Sequence, residues 1–315
     1  MLRFLPFVCW LAILPTSGQV VVREIPAVAV TLVAQPDDKG RKVWHTANFR
    51  IDLDVSLTAD ELKRIAQVIE STAAVIRQHP LPLYAPPEGR ARVAIFAEDE
   101  DYENAGAVAG TAGFYDGRRE LVMIRGKSLV RGAAGRSRLP PVNDEDLVVH
   151  ELVHLCMHGV NRRMPQWFIE GIAEYFASAH LGAGRFHFAN PEMSVREHLR
   201  VRLSPDRPDL TLPPLAEIAG LDDRSWIRYL GQLRAEDRYR AYGSALLLTH
   251  YHLHGGRERF EWVKETLEKP MVRGDAVPKV DLTGVEEALV RFWKPKGLTL
   301  EFKRAEMGDG DPFGG

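Results

Sequence analysis

His150-Glu151-Leu152-Val153-His154 is followed, sixteen residues after its second histidine, by Glu170. On a helix of about 3.6 residues per turn, His150 and His154 lie one above the other on one face. Two imidazoles so placed can grip one zinc ion, with Glu151 beside them, angled toward a water on the open side. A third ligand must come from elsewhere, and Glu170 is the candidate. The chemistry this points to is hydrolysis: one Zn(2+) per chain held by His150, His154 and Glu170, with Glu151 as general base.

The competing reading is an ordinary amphipathic helix with two half-buried histidines. The flanking residues argue against it. Asn143 or Asp144 can cap the helix, and the acids Asp144 to Asp146 favour its positive end. Leu147, Val148, Leu152, Val153 and Leu155 are apolar, as a helix crossing a core requires, and Gly159 offers a stop. Two histidines and a carboxylate are expensive on such a helix unless something uses them.

A second helix is expected around Glu170. Pro165 suits its first turn, and Phe168, Ile169, Ile172, Ala173 and Phe176 give it an apolar stripe. Glu170 and Glu174 share a face at i, i+4, where like charges repel. Zinc ligation by Glu170 removes the conflict, and Glu174 then accepts the outer N–H of a ligating histidine. The plainer alternative makes both residues solvated surface acids. A metzincin would need Gly and His three and six residues past the second histidine, where this chain has Met157 and Val160. His158 lies about 12 Å from His150 along a straight helix, at ~1.5 Å per residue. That is too far for one tetrahedral ion, and His158 is expected at a helix end or partly exposed.

At this point the chain resembles a family. HELVH followed by Pro165-Gln166-Trp167-Phe168-Ile169-Glu170-Gly171-Ile172-Ala173-Glu174-Tyr175-Phe176 is similar to the gluzincin pattern HExxH … W-x-x-EG-x-A-x-Y, within the bacterial peptidase-MA-like proteins. Thr111-Ala112-Gly113-Phe114-Tyr115-Asp116 and Ala241 to Tyr251 resemble two further segments of that family, and the likeness spans roughly residues 45–265. The resemblance implies a zincin-like gluzincin peptidase fold and leaves the substrate open. It also implies Tyr242 as the oxyanion donor beside the metal, with Tyr239 as the alternate and ordinary helix packing as the plainer role of either.

Net charge is −2 with interleaved signs, which gives no electrostatic case for nucleic acid or an acidic membrane. Residues 1–18 carry one positive charge, a short apolar run and small residues, which reads as a secretory signal cleaved near Gly18. The run is too short to span a bilayer, so a secreted or periplasmic protein with no stable membrane span is expected. Cys9 would leave with that peptide. Cys156 is then alone, and its expected role is inert core packing.

The expected architecture is α+β: a small N-terminal mixed sheet with the HExxH helix, then a mainly helical C-terminal part. One peptidase domain is expected over 19–303, with a sheet-rich lobe at 19–142, the zinc site and helical lobe at 143–303, and a disordered tail at 304–315. Asn48–Val55 and Arg92–Phe96 read as strands. Thr58 and Glu61 form a capping box for a helix from Ala59 to about Gln78. Asp37 to Gly40 reads as a turn, Glu98 to Glu103 as a solvated loop rather than a calcium site, and Gly106 to Gly113 as a mobile loop. Arg119–Arg125 reads as a strand, either interior or an exposed edge able to pair with an extended peptide. Residues 126–142 read as a loop, and 183–212 as a wrap over the site. Helices are expected at 214–219, 239–254, 257–268 and 283–293. His250, His252 and His254 read as a charged helix end.

The reading these features support is a secreted zinc-dependent peptidase acting on a peptide or protein substrate. Its rivals are a zinc hydrolase of a non-peptide amide or ester, and a non-catalytic envelope binding protein. The intact Glu151 argues against the last, since a purely structural zinc site prefers four protein ligands and has no use for it.

Overall fold

A computed structural model describes residues 24–37, 42–108, 111–129, 145–204, 208–234, 237–270 and 277–304. The signal-like residues 1–18, most of the turn at 37–40, the capping residues Asn143 and Asp144, most of the 126–142 loop and nearly all of the C-terminal tail lie outside them.

The chain opens with three antiparallel strands, β1 (Val33–Pro36), β2 (Lys42–His45) and β3 (Phe49–Asp54). In β3 the apolar Phe49 and Ile51 are buried and alternate with more exposed neighbours, the period of a strand with one face on a core. Helix α1 (Ala59–Gln78) then crosses over to β4 (Ala91–Phe96), which pairs parallel to β3, as a parallel pair requires. The capping box is present: the Thr58 hydroxyl accepts from Glu61 N–H, and the Glu61 carboxylate accepts from Thr58 N–H.

The acidic stretch after β4 is a short helix, α2 (Asp99–Asn104), not a solvated loop. Its acids favour the helix start, and Arg125 neutralises two of them, lying 3.3 Å from Asp99 and 3.0 Å from Glu103. Of the expected mobile glycine loop, Gly113 belongs instead to β5 (Gly113–Asp116), which turns back antiparallel to β6 (Leu121–Arg125). The sheet order is β1-β2-β3-β4-β6-β5, so β6 is interior and β5 is the edge. The near-continuous apolar run of β6 fits that place, since a strand covered on both faces need not alternate.

Helix α3 (Glu145–Cys156) lies against β5 and β6 and carries the HExxH segment. It ends before Gly159. The Ala85 N–H donates to the Cys156 carbonyl at 2.8 Å, and Gly159 sits inside a separate short helix, α4 (His158–Asn161), its N–H donating to the Ala85 carbonyl. Pro165 caps α5 (Gln166–Ala179). The expected wrap at 183–212 is largely a helix, α6 (Pro191–Leu203), started by Asn190, whose side chain accepts from Met193 N–H. It is followed by β7 (Asp209–Leu212).

The remainder is mainly helical: α7 (Leu215–Ala219), α8 (Asp223–Gln232), α9 (Arg238–His254), α10 (Arg257–Glu268) and α11 (Val285–Trp293), of which α7, α9, α10 and α11 were expected. Two elements were not foreseen there. One is α8, opened by an Asp222–Ser225 capping box. The other is β8 (Thr299–Phe302), which returns to pair parallel with β7.

One buried apolar core joins the two parts. Ile51, Val93 and Val122 from the sheet belong to the same cluster as Val149 and Val153 of α3, Phe168 and Ile172 of α5, and Leu246 of α9. Helices α5 and α9 make the most extensive helix pair, and Gly171 permits their approach. A Cβ there would collide with the Thr249 hydroxyl and the Ala245 carbonyl oxygen. Among the described residues no helix is long and apolar enough to cross a membrane.

Candidate metal centre

Helices α3 and α5 bring three donors to one point. His150, His154 and Glu170 each offer an atom within 4.8 Å of the others, and all three residues are buried. The two imidazole Nε2 atoms face each other at 3.1 Å. Glu170 Oε2 lies 3.3 Å from Nε2 of His150 and 3.5 Å from Nε2 of His154. Gln166, one turn earlier on α5, donates to the other oxygen of Glu170 at 2.8 Å and steadies that carboxylate. Two imidazoles and a carboxylate converging on a shared point form a group that could hold a metal ion, the donor set of a site with an open position.

Glu174 is 5% exposed, which excludes a solvated surface acid. Its Oε1 lies 2.9 Å from Nδ1 of His150, on the side of the ring away from the donor cluster. Its Oε2 faces Nε2 of His198 at 2.7 Å and accepts from the Tyr239 hydroxyl. His198 on α6 was not singled out in the sequence, because the segment bearing it read as a wrap over the site. The only hint was its place in a stretch with an Asn-Pro helix start.

The electrostatics follow from packing three carboxylates and two histidines out of water. Burial opposes charge on His150, but hydrogen bonding to Glu170 and Glu174 outweighs it and raises the imidazole well above its ordinary value. Burial pushes Glu170 up, yet the charge of His154 and hydrogen bonds from both histidines hold it at about 2. Glu174 likewise sits well below the usual carboxylate range, where burial loses to its contacts with His150 and His198. Glu151 differs: burial dominates and raises its carboxyl, with the two histidines opposing. The Glu170 carboxylate is thus held as an anion, while burial moves the Glu151 carboxyl in the opposite direction.

Tyr242 stands over the cluster, its ring 5.8 Å from the His150 ring and 5.5 Å from Trp226. Burial, with the charge of Glu170 adding, raises its phenol well above the ordinary value, so it stays a proton donor. The Tyr239 proton is committed to Glu174 instead. His158 lies outside the donor group, with Nδ1 2.7 Å from the Tyr115 hydroxyl and Nε2 3.3 Å from Glu120. Cys156 is buried, and burial pushes its thiol up to about 12, which suits inert packing. The C-terminal histidines of α9 correct the expectation of a charged helix end. His250 and His252 are buried and burial lowers both, while His254 falls to about 4.

Compared with known proteins, the chain matches no protein-family model and no curated relative.

Proposed function

We propose that this chain is a zinc-dependent hydrolase of the gluzincin type, on a zincin-like fold, cleaving peptide bonds. The observation that carries the proposal is the separation of roles around one cluster. Three side chains converge as ligands, and Glu151, adjacent in sequence to His150, is buried beside them without belonging to the donor group. His150, His154 and Glu170 would hold the zinc ion, which when bound would supply Lewis acidity toward a carbonyl and make a water easier to deprotonate. Glu151 accepts that water's proton and later passes it to the leaving amine, a task its raised carboxyl suits. Tyr242, kept as a phenol, donates to the oxygen on which negative charge develops. Glu174, with Oε1 2.9 Å from Nδ1 of His150, favours a proton on that nitrogen and leaves Nε2 free to ligate.

Nearness to the bacterial peptidase-MA-like proteins belongs to this proposal, as does the exported location implied by residues 1–18. The deciding experiment digests a broad peptide library with purified wild-type chain, with chelator-treated chain and with Glu151→Gln. Cleavage by zinc-loaded wild type that chelator abolishes and Glu151→Gln cuts by orders of magnitude is expected. Zinc content should be equal in Glu151→Gln and wild type. Activity that survives in Glu151→Gln would overturn the mechanism, and zinc binding without hydrolysis of any peptide or ester would favour the binding-protein reading.

A further inference from the structure

We propose that His198 and Tyr239 are positioning residues of the metal centre: by holding Glu174 from behind, they fix which nitrogen of His150 faces the metal. This rests on the metal-site reading above and adds to it a set of residues two contacts away from the ion.

A carboxylate has two oxygens, and here both are engaged. Oε1 of Glu174 lies 2.9 Å from Nδ1 of His150. Oε2 accepts from the Tyr239 hydroxyl and lies 2.7 Å from Nε2 of His198. Tyr239 gives its one proton to Glu174, so Nε2–H of His198 faces both Oε2 and the Tyr239 oxygen, 2.8 Å away. The contact with Oε1 favours the His150 tautomer protonated at Nδ1. The lone pair then sits on Nε2, the atom that meets His154 and Glu170.

Glu174 alone would not secure this. Glu170 is one turn away on the same helix with the same charge, which drives the two carboxylates apart. Both donors on Oε2 come from other helices, His198 from α6 and Tyr239 from α9, while His150 is on α3. Four helices therefore meet at one carboxylate, and its orientation depends on how they pack. His198 and Glu174 are 8% and 5% exposed, so water does not readily replace a lost donor. Tyr239 also stacks on Tyr242, with ring centres 5.9 Å apart and planes 22° from parallel. The same support thus reaches the residue proposed above as the oxyanion donor.

The test uses the full chain and variants His198→Leu, His198→Gln and Tyr239→Phe. Zinc affinity is read by competition with a chromophoric chelator, coordination by the visible spectrum of the cobalt-substituted chain, and folding by Tm. His198→Leu and Tyr239→Phe should each weaken zinc retention by roughly tenfold to a hundredfold and alter the cobalt spectrum, the scale expected of outer hydrogen-bond partners. His198→Gln keeps an N–H near the Nε2 position and should come back to within a few-fold of wild type. If His198→Leu does not fold, Tyr239→Phe, which removes one hydroxyl without changing shape, carries the test. Wild-type affinity and spectrum in Tyr239→Phe and His198→Leu would overturn the proposal. So would losses that track Tm and are the same in His198→Gln as in His198→Leu. A wild-type chain that binds no zinc would instead bring down the metal-site reading itself.

Discussion

Gly113 clears the space that Glu151 occupies. A Cβ on Gly113 would stand 2.8 Å from Cγ of Glu151 and 2.9 Å from its Oε1, with Leu147 Cδ1 at 3.1 Å behind. Gly113 begins the edge strand β5, and its lack of a side chain lets that strand reach the proposed general base. Gly113→Ala must therefore move either the strand or the carboxylate, at a cost of about 1–3 kcal/mol for overpacking. The expected outcome is a fall in kcat of at least about tenfold, because a base displaced by a fraction of an ångström loses its alignment. Zinc content should hold, since the atoms nearest to that Cβ belong to Glu151 and Leu147, which are not in the donor group. Steady-state kinetics with metal analysis checks both, and an unchanged kcat would show that Glu151 does not act from this position.

Ligand identity is tested by removal. Glu170→Gln takes away the one anionic donor of the cluster and should strip zinc at chelator concentrations that wild type withstands. His158→Ala should leave zinc content unchanged, because its ring contacts Tyr115 and Glu120 and lies outside the donor group. The reverse pattern on metal analysis would give the third ligand to His158.

Tyr242→Phe separates transition-state stabilisation from ligand support. The phenol is held protonated by burial and by the nearby charge of Glu170. Losing one oxyanion donor should lower kcat by about a hundredfold with KM little changed. Zinc affinity should stay at the wild-type value, in contrast to Tyr239→Phe. Stopped assays over a substrate range, paired with the chelator titration, distinguish the two tyrosines. A rise in KM at constant kcat would make Tyr242 a binding residue only.

Local pattern carried much of the site. The i, i+4 histidines, the Thr58–Glu61 capping box and the Glu170–Glu174 pair are all short-range features, and the structure has His150, His154 and Glu170 meeting as their spacing implied. What sequence left open depends on long-range packing. Whether the β6 segment was an edge or interior turned on β5 folding back beside it. His198 lies 24 residues beyond Glu174 and reaches it only because α6 packs on α5, which no periodicity announces. The β7–β8 pair joins two four-residue strands, Asp209–Leu212 and Thr299–Phe302, far apart in the chain and each too short to stand out alone. The α9 histidines misled for the same reason. A basic helix end usually faces water, but here tertiary packing covers it, with His250 lying 5.0 Å from the Trp293 ring.

That covered helix end makes stability depend on pH. His250 and His252 are lowered by burial, and His254 falls to about 4. Unfolded, each would titrate near the ordinary value of about 6.5. Between the two values the unfolded chain binds more protons than the folded one, so stability is full above about pH 6.5 and declines as pH falls. Each such histidine removes up to about 1.4 kcal/mol per pH unit below that point, until it protonates in the folded state. His250→Phe keeps a flat ring against Trp293 and Phe292 and removes one titrating group. Denaturant melts at pH 7.5, 6.5, 5.5 and 4.5 should show wild type losing more stability than His250→Phe over the lower interval, with a difference that grows as pH falls. Loss of metal in acid acts on both chains alike and cancels in the comparison. Parallel pH profiles for the two would mean that His250 does not titrate as a buried neutral ring, and that acid weakens the protein elsewhere.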